Sequence, residues 1–153
     1  MNEYMKKANE LAKYSMENNK GGCFGCIIVK DGEIVGQGYN TVTSDNDPTC
    51  HGEVNAIRNT CKNLNTFDLS GCEMYTSAYP CPMCLGAIMW SNIKTVYYGA
   101  TPKDTANIGF RDDFMYEWLR LPNEETLKMV QMNRKECVEV QQIWLNKKDK
   151  IEY

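Results

Sequence analysis

Histidine is nearly absent from this chain: His51 stands alone among 153 residues. A second-histidine relay or an HExxH metal site needs two imidazoles, so all imidazole chemistry here falls to His51. Long apolar runs are missing too. No window of about 18 apolar residues exists to span a bilayer, and the amino end, MNEYMKKANELAKY, lacks the apolar centre of a secretion signal. The expected location is therefore cytoplasmic, with no membrane partner. There is also no excess of positive charge. The 17 Lys and Arg stand against 20 Asp and Glu, a formal net charge of −3, and the sequence pI is about 5.2. Nothing here builds a long phosphate-tracking surface, so nucleic acid is a secondary partner, local basic patches notwithstanding.

What is present is ordinary globular composition, 42% hydrophobic and 24% charged, enough for one domain over residues 1–153 with its own core. The eight cysteines are the unusual feature. In a reducing compartment, and in a chain long enough to fold without staples, they point to metal binding before disulfides.

Residues 3–19 place Met5, Ala8, Leu11, Ala12, Ser15 and Met16 at helical spacing, with Lys20, Gly21 and Gly22 ending the helix. Phe24 to Lys30 and Glu33 to Tyr39 flank Asp31-Gly32, the signature of a two-residue hairpin. Asn40 to Thr49 reads as a loop leading to a helix from about His51 to Leu64. A strand from Glu73 to Ser77, a helix from Cys81 to Asn92 and a strand from Lys94 to Ala100 follow. Beyond Pro102 the pattern predicts a helix over Asp112–Leu119, a short strand over Leu127–Met132 and a last helix marked by Cys137, Val140, Trp144 and Leu145, before a polar tail. This alternation argues for α/β layers.

Roughly thirty positions after His51 comes PCPMC, Pro80 to Cys84. Cys81 and Cys84 share a helical face, and Pro82 suits a first helical position, which puts Cys81 at the cap. There the peptide dipoles favour the thiolate that a metal requires. His51 and Glu53 are two apart, about 200° around a regular helix, so they cannot share a face unless His51 also sits at a cap, before the helix begins. Two helix starts would then converge on one ion. One nitrogen and two sulfurs leave a fourth tetrahedral position for water, the mark of a catalytic zinc. Two thiolates blunt the metal's acidifying effect on that water, so a carboxylate base helps, and Glu53 is the candidate.

Taken singly, His51 reads as an ordinary partly buried histidine and CPMC as a redox pair. Cys23 and Cys26, in CFGC, raise a four-cysteine zinc site with Cys81 and Cys84, but that leaves His-x-Glu unexplained. Because CFGC runs into a predicted strand, both thiols read as small core residues, as do Cys50, Cys61, Cys72 and Cys137. The combination of HGE with PCPMC is the pattern of zinc nucleobase deaminases, in which the glutamate is general acid/base and not a ligand.

The stretches FGCIIVKDG, SDNDPTCHGEVNAIR, YTSAYPCPMCLGAIMW, IGFRDDF and NKKDKIEY resemble the cytidine deaminase-like superfamily, and within it the small bacterial guanine deaminases. The resemblance implies a three-layer αβα fold around a mixed five-stranded sheet, and one zinc per chain held by His51, Cys81 and Cys84. It implies Glu53 as proton shuttle and Asp112 assisting departure of the amine. Asn40 and Gly52 would contact the base, and Trp90, with Tyr153 from a second subunit, would enclose it. It further implies a homodimer whose segment from about 134 to 153 crosses over to the partner's site. The expected reaction is guanine to xanthine and ammonia. Another free base or nucleoside (cytosine, guanosine, a triazine), or adenosine in transfer RNA, is the alternative, and a non-catalytic zinc module a third reading. Three departures from the family bear on this: Ala78-Tyr79 where Cys-Glu is usual, HGE for HAE, and Cys23 and Cys26 where Pro and Ala are typical.

Overall fold

The computed structural model of the chain describes residues 1–119 and 127–152. Its strands are β1 (Gly25–Lys30), β2 (Glu33–Tyr39), β3 (Cys72–Ala78), β4 (Thr95–Ala100) and β5 (Lys128–Gln131). Its helices are α1 (Glu3–Glu17), α2 (Val42–Asp45), α3 (Gly52–Leu64), α4 (Pro82–Trp90), α5 (Pro102–Asn107), α6 (Asp113–Leu119) and α7 (Arg134–Asn146). The sheet order is β2-β1-β3-β4-β5, antiparallel where β1 meets β2 and β3, parallel from β3 to β5. This is the mixed five-stranded α/β sheet that the resemblance implied.

Alternation along β1 divides the core. Cys26 and Ile28 join a cluster with Ala56 of α3 and Leu85 and Ile88 of α4, whereas Ile27 and Val29 join one with Met5 and Ala8 of α1 and Cys137 of α7. Successive strand residues point to opposite faces, so one apolar run covers both layers, as a strand buried on both sides must. In this single chain α7 lies on its own β4 and α1: Trp144 packs beside Ala12, Met16 and Phe110, and Gln141 Nε2 donates to Thr105 Oγ1 at 3.0 Å. Arg134, at the start of α7, is paired with the Asp104 carboxylate.

Two short helices differ from the expectation. The segment 40–49 carries a turn of helix, α2, ended by Asn46 in the left-handed conformation. In α5, Thr101 and Asp104 form a reciprocal capping box around Pro102 at the first helical position, with Asp104 N–H donating to Thr101 Oγ1 at 3.2 Å.

The placement of α3 depends on two strand glycines. A Cβ at Gly36 would meet Thr60 Oγ1 at 1.9 Å, and one at Gly38 would meet Ala56 N at 2.3 Å and Gly52 O at 2.4 Å. Only bare backbone lets the helix lie this close to β2. Gly38→Ala therefore forces α3 outward, and with it His51 and Glu53. Urea unfolding should show a loss of about 1–3 kcal/mol, and zinc retained after dialysis should fall; unchanged zinc content would mean that α3 is not held in place by this contact.

Candidate active site

The carboxyl ends of β2 and β3 feed the two helices that meet at the site. His51 is the N-cap of α3, with φ −72° and ψ 157°, and Cys81 is the N-cap of α4, with φ −67° and ψ 167°. Both residues are extended, and Pro82 starts α4. Neither side chain makes a capping hydrogen bond to its helix, and the two face each other.

His51 Nδ1 lies 3.6 Å from Cys81 Sγ and 3.6 Å from Cys84 Sγ. A tetrahedral zinc, with bonds of about 2.0–2.1 Å to nitrogen and 2.3 Å to sulfur, sets N and S about 3.6 Å apart. The donor atoms of these three residues all lie within 4.8 Å of one another, and they are the only such metal-ligating group among the described residues. The set thus fits a zinc held by three side chains. Cys23 and Cys26 are not part of it: Cys23 packs with Ala12 and Met16, and Cys26 with Ile28 and Met74.

Glu53 is buried in the first turn of α3. Thr76 of β3 donates to its Oε1 at 3.3 Å, and Cys84 Sγ lies 3.5 Å from its Oε2. Burial, reinforced by the charge of Cys81, pushes the Glu53 carboxyl above its ordinary range, with His51 pulling the other way. Hydrogen bonding between the cysteines, together with His51, drives Cys81 towards thiolate; the same contact and burial push Cys84 upward. For His51, burial opposes protonation, but the hydrogen bond and charge of Cys81 outweigh it and the net shift is upward.

A cavity of about 490 Å³ opens over this group, with His51, Glu53 and Cys81 among its walls beside Asn40, Asp112 and Arg111, and with Phe24, Tyr79, Phe110 and Met115 as its larger apolar surfaces. Asn40 is 1% exposed and almost wholly committed. Its Oδ1 accepts from Gly22 N–H at 3.2 Å and Val42 N–H at 3.1 Å, and its backbone carbonyl accepts from Ser15 Oγ at 2.6 Å. These bonds orient the side chain so that the amide nitrogen is the end left to donate. Asp112 precedes α6, its carbonyl accepting from Met115 N–H at 3.1 Å. Its Oδ1 is buried with no hydrogen-bond partner, and burial pushes the carboxyl up to about 6.

The remaining expected residues fare differently. Gly52 starts α3 beside Phe24, and a Cβ there would meet Phe24 O at 3.3 Å, so the position is nearly wide enough for alanine; Gly52 is not among the cavity walls. Trp90 ends α4, is 88% exposed and does not reach this chain's cavity. Tyr153 lies outside the described residues. Three contributors went unrecognised in the sequence. Thr76 bonds the glutamate from an ordinary-looking strand. Phe24 stands edge-on to Phe110 with centroids 4.8 Å apart. Tyr116 donates its hydroxyl to Pro80 O, beside a metal ligand, and meets the Tyr79 ring at 5.6 Å. Only the i, i+4 spacing of Asp112 and Tyr116 hinted at the last.

Residues 1–100 match the model of the cytidine and deoxycytidylate deaminase zinc-binding region. The chain is 46% identical over 151 residues to a guanine deaminase from Bacillus subtilis, covering 98% of this chain and 97% of that protein. It is 41% identical over 100 residues, 65% of the chain and 66% of the relative, to a tRNA-specific adenosine deaminase from Aquifex aeolicus. The crystal structure of the B. subtilis guanine deaminase superposes with a TM-score of 0.75 at 44% identity, covering 100% of this chain and 99% of that one. That of guanine deaminase from Nitrosomonas europaea gives 0.79 at 24% identity, over 93% of this chain and 82% of that one, a likeness of fold. The chain belongs to the zinc-dependent cytidine deaminase family of hydrolytic deaminases, on its guanine deaminase branch, and binds one zinc.

Proposed function

We propose that the protein hydrolyses guanine to xanthine and ammonia, in the cytoplasm, as a homodimer. One observation carries the reading: a buried carboxylate, Glu53, lies beside a three-donor metal site that faces a largely apolar cavity. The end-to-end likeness to a guanine deaminase selects guanine among aminated bases. Zinc held by His51, Cys81 and Cys84 supplies Lewis acidity that makes an attacking water more acidic. Glu53, fixed by Thr76, takes a proton from that water and gives it to a ring nitrogen, then carries the remaining hydroxyl proton to the amine, which leaves as ammonia as the carbonyl forms; its raised affinity for protons suits each transfer. Asn40 donates its amide to the base. Asp112, with an unpartnered oxygen, receives the departing amine, and Phe24 and Phe110 exclude water from the ring faces. Eight free thiols accord with a reducing compartment, and no helix among the described residues is long and apolar enough to cross a membrane.

Helix α4 supports the dimer. Its sequence, PMCLGAIMW, has no charged residue, yet Met83, Met89 and Trp90 are exposed on the single chain. A helix apolar all round belongs in an interior, so a second copy is the natural cover for its outer face. The exchanged segment, about 134–153, belongs to the same proposal: the contacts of α7 with β4 and α1 are those that a partner's α7 would replace.

Purified zinc-loaded protein should release ammonia from guanine and leave an anticodon stem-loop untouched; activity on the stem-loop alone would overturn the choice of substrate. Glu53→Ala should keep its zinc and lose about 10²- to 10⁴-fold in turnover, whereas loss of the metal with the activity would make Glu53 structural. Sedimentation should give a dimer, and Trp90→Glu should weaken it about tenfold or more; a monomer at micromolar concentration would sink this assembly.

Asp112 yields a prediction in which stability and activity part. Its carboxyl ionises at about 6 in the fold and at about 3.8 when unperturbed, so the folded state holds the extra proton between those values and loses that advantage as pH rises through 6. Asp112→Asn should thus be more stable than the parent at pH 7, by on the order of 1 kcal/mol after allowance for partial exposure. The gain should shrink as pH falls towards 4, and the variant should be less active throughout. Urea unfolding at the two pH values checks the sign.

A further inference from the structure

The metal donors, Glu53 and Asn40 form the floor of the cavity, and Arg111 stands at its mouth, both exposed and part of the wall. Its guanidinium makes no hydrogen bond or ion pair with any described residue, although carboxylates follow it directly in sequence. Asp113 Oδ1 accepts from Phe114 N–H at 2.9 Å instead, and Asp112 Oδ1 is buried and unpartnered. The fork therefore ties no described element to another. Among the described residues that wall the cavity it is the one permanently charged cation.

The orientation of the base follows from the chemistry at the floor. The amine-bearing C2 of guanine must lie at the metal donors and Glu53, which turns the opposite side of the bicyclic ring towards the mouth. That side presents two adjacent acceptors, O6 and N7, and a planar guanidinium matches such a pair with two parallel N–H donors. Asn40 has only its amide nitrogen left to donate, its Oδ1 being taken by Gly22 and Val42, and the two N–H groups of one nitrogen diverge, so they do not match that pair of acceptors in parallel as a guanidinium does.

We propose that Arg111 reads the O6/N7 edge of the purine and makes the enzyme selective for 6-oxopurines over 2-amino rings that lack one of those acceptors. The inference rests on the guanine reading above. The test compares kcat/KM for guanine, 2-aminopurine (which lacks O6) and 7-deazaguanine (which lacks the N7 acceptor) in the parent, Arg111→Ala and Arg111→Lys proteins, each at full zinc content. The parent should prefer guanine to both analogues. Arg111→Ala should lose about 10- to 100-fold on guanine, mostly in KM, and little on the analogues, collapsing the preference; Arg111→Lys, a point charge without the fork, should recover part of it. Equal losses on all three rings, no loss on guanine, or a parent indifferent to the analogues would each overturn the role of Arg111. A parent inactive on guanine would instead overturn the function from which this inference starts.

Discussion

Two helices whose N-cap side chains turn away from them towards each other are the constraint on which this molecule turns. His51 and Cys81 occupy N-cap positions, where a serine or aspartate would ordinarily bond the helix's free amides, yet neither side chain caps its own helix. Both reach across the gap instead, and the 3.6 Å separations between His51 Nδ1 and the two sulfurs have the dimensions of a tetrahedral zinc site. Each helix gives up local capping worth about 1 kcal/mol. In exchange its positive end faces the thiolates and the buried carboxylate, which offsets part of the cost of desolvating them. The extended caps also resolve the spacing of His51 and Glu53: because His51 is not yet helical, a residue two positions on can point to the same place.

The sheet imposes the rest of the geometry. Strand β3 runs from the core to Ala78 and delivers Cys81 within three residues, while Thr76, two residues before the strand ends, holds Glu53. A metal donor and the buried carboxylate are thus referred to one rigid strand. On the other side, Gly36 and Gly38 bring α3 down onto β2 closely enough that a methyl group would collide with its backbone. Neither glycine touches the chemistry. Their contribution is to fix the height of the glutamate above the metal donors, and small errors in such positioning carry large penalties in rate.

Much of this was legible in the sequence because it depended on local chemistry. Asp31-Gly32 marked the hairpin, Pro82 the start of α4, and the His-x-Glu interval required a cap that the structure places at His51. Helix α5 went unread, although the Thr-Pro-Lys-Asp run carries the capping signal that the structure uses. Helix α2 is one turn in a polar segment, set by Asn40 just before it, whose Oδ1 accepts from Val42 N–H, and by Lys20 across the chain, whose carbonyl accepts from Ser44 N–H. Long-range contacts were the blind spot. Thr76 looks like any β-branched strand residue, and Tyr116 like any aromatic of an amphipathic helix; their roles come from what folding places opposite them, Glu53 in one case and Pro80 in the other.

Trp90 shows where a single chain stops explaining itself. The sequence resemblance placed it against the base, whereas the chain holds it on the outside, 88% exposed at the end of α4. The same helix carries Cys84 inward to the metal donors and Leu85 and Ile88 into the core, so it cannot rotate to bury the indole without dismantling the site. An uncharged helix fixed by its metal-donor face leaves its other face to whatever docks there. If that is a second copy, the geometry which assembles the metal site also dictates where the dimer forms, and a substitution on the inner face of α4 should be felt at the interface as well as at the zinc.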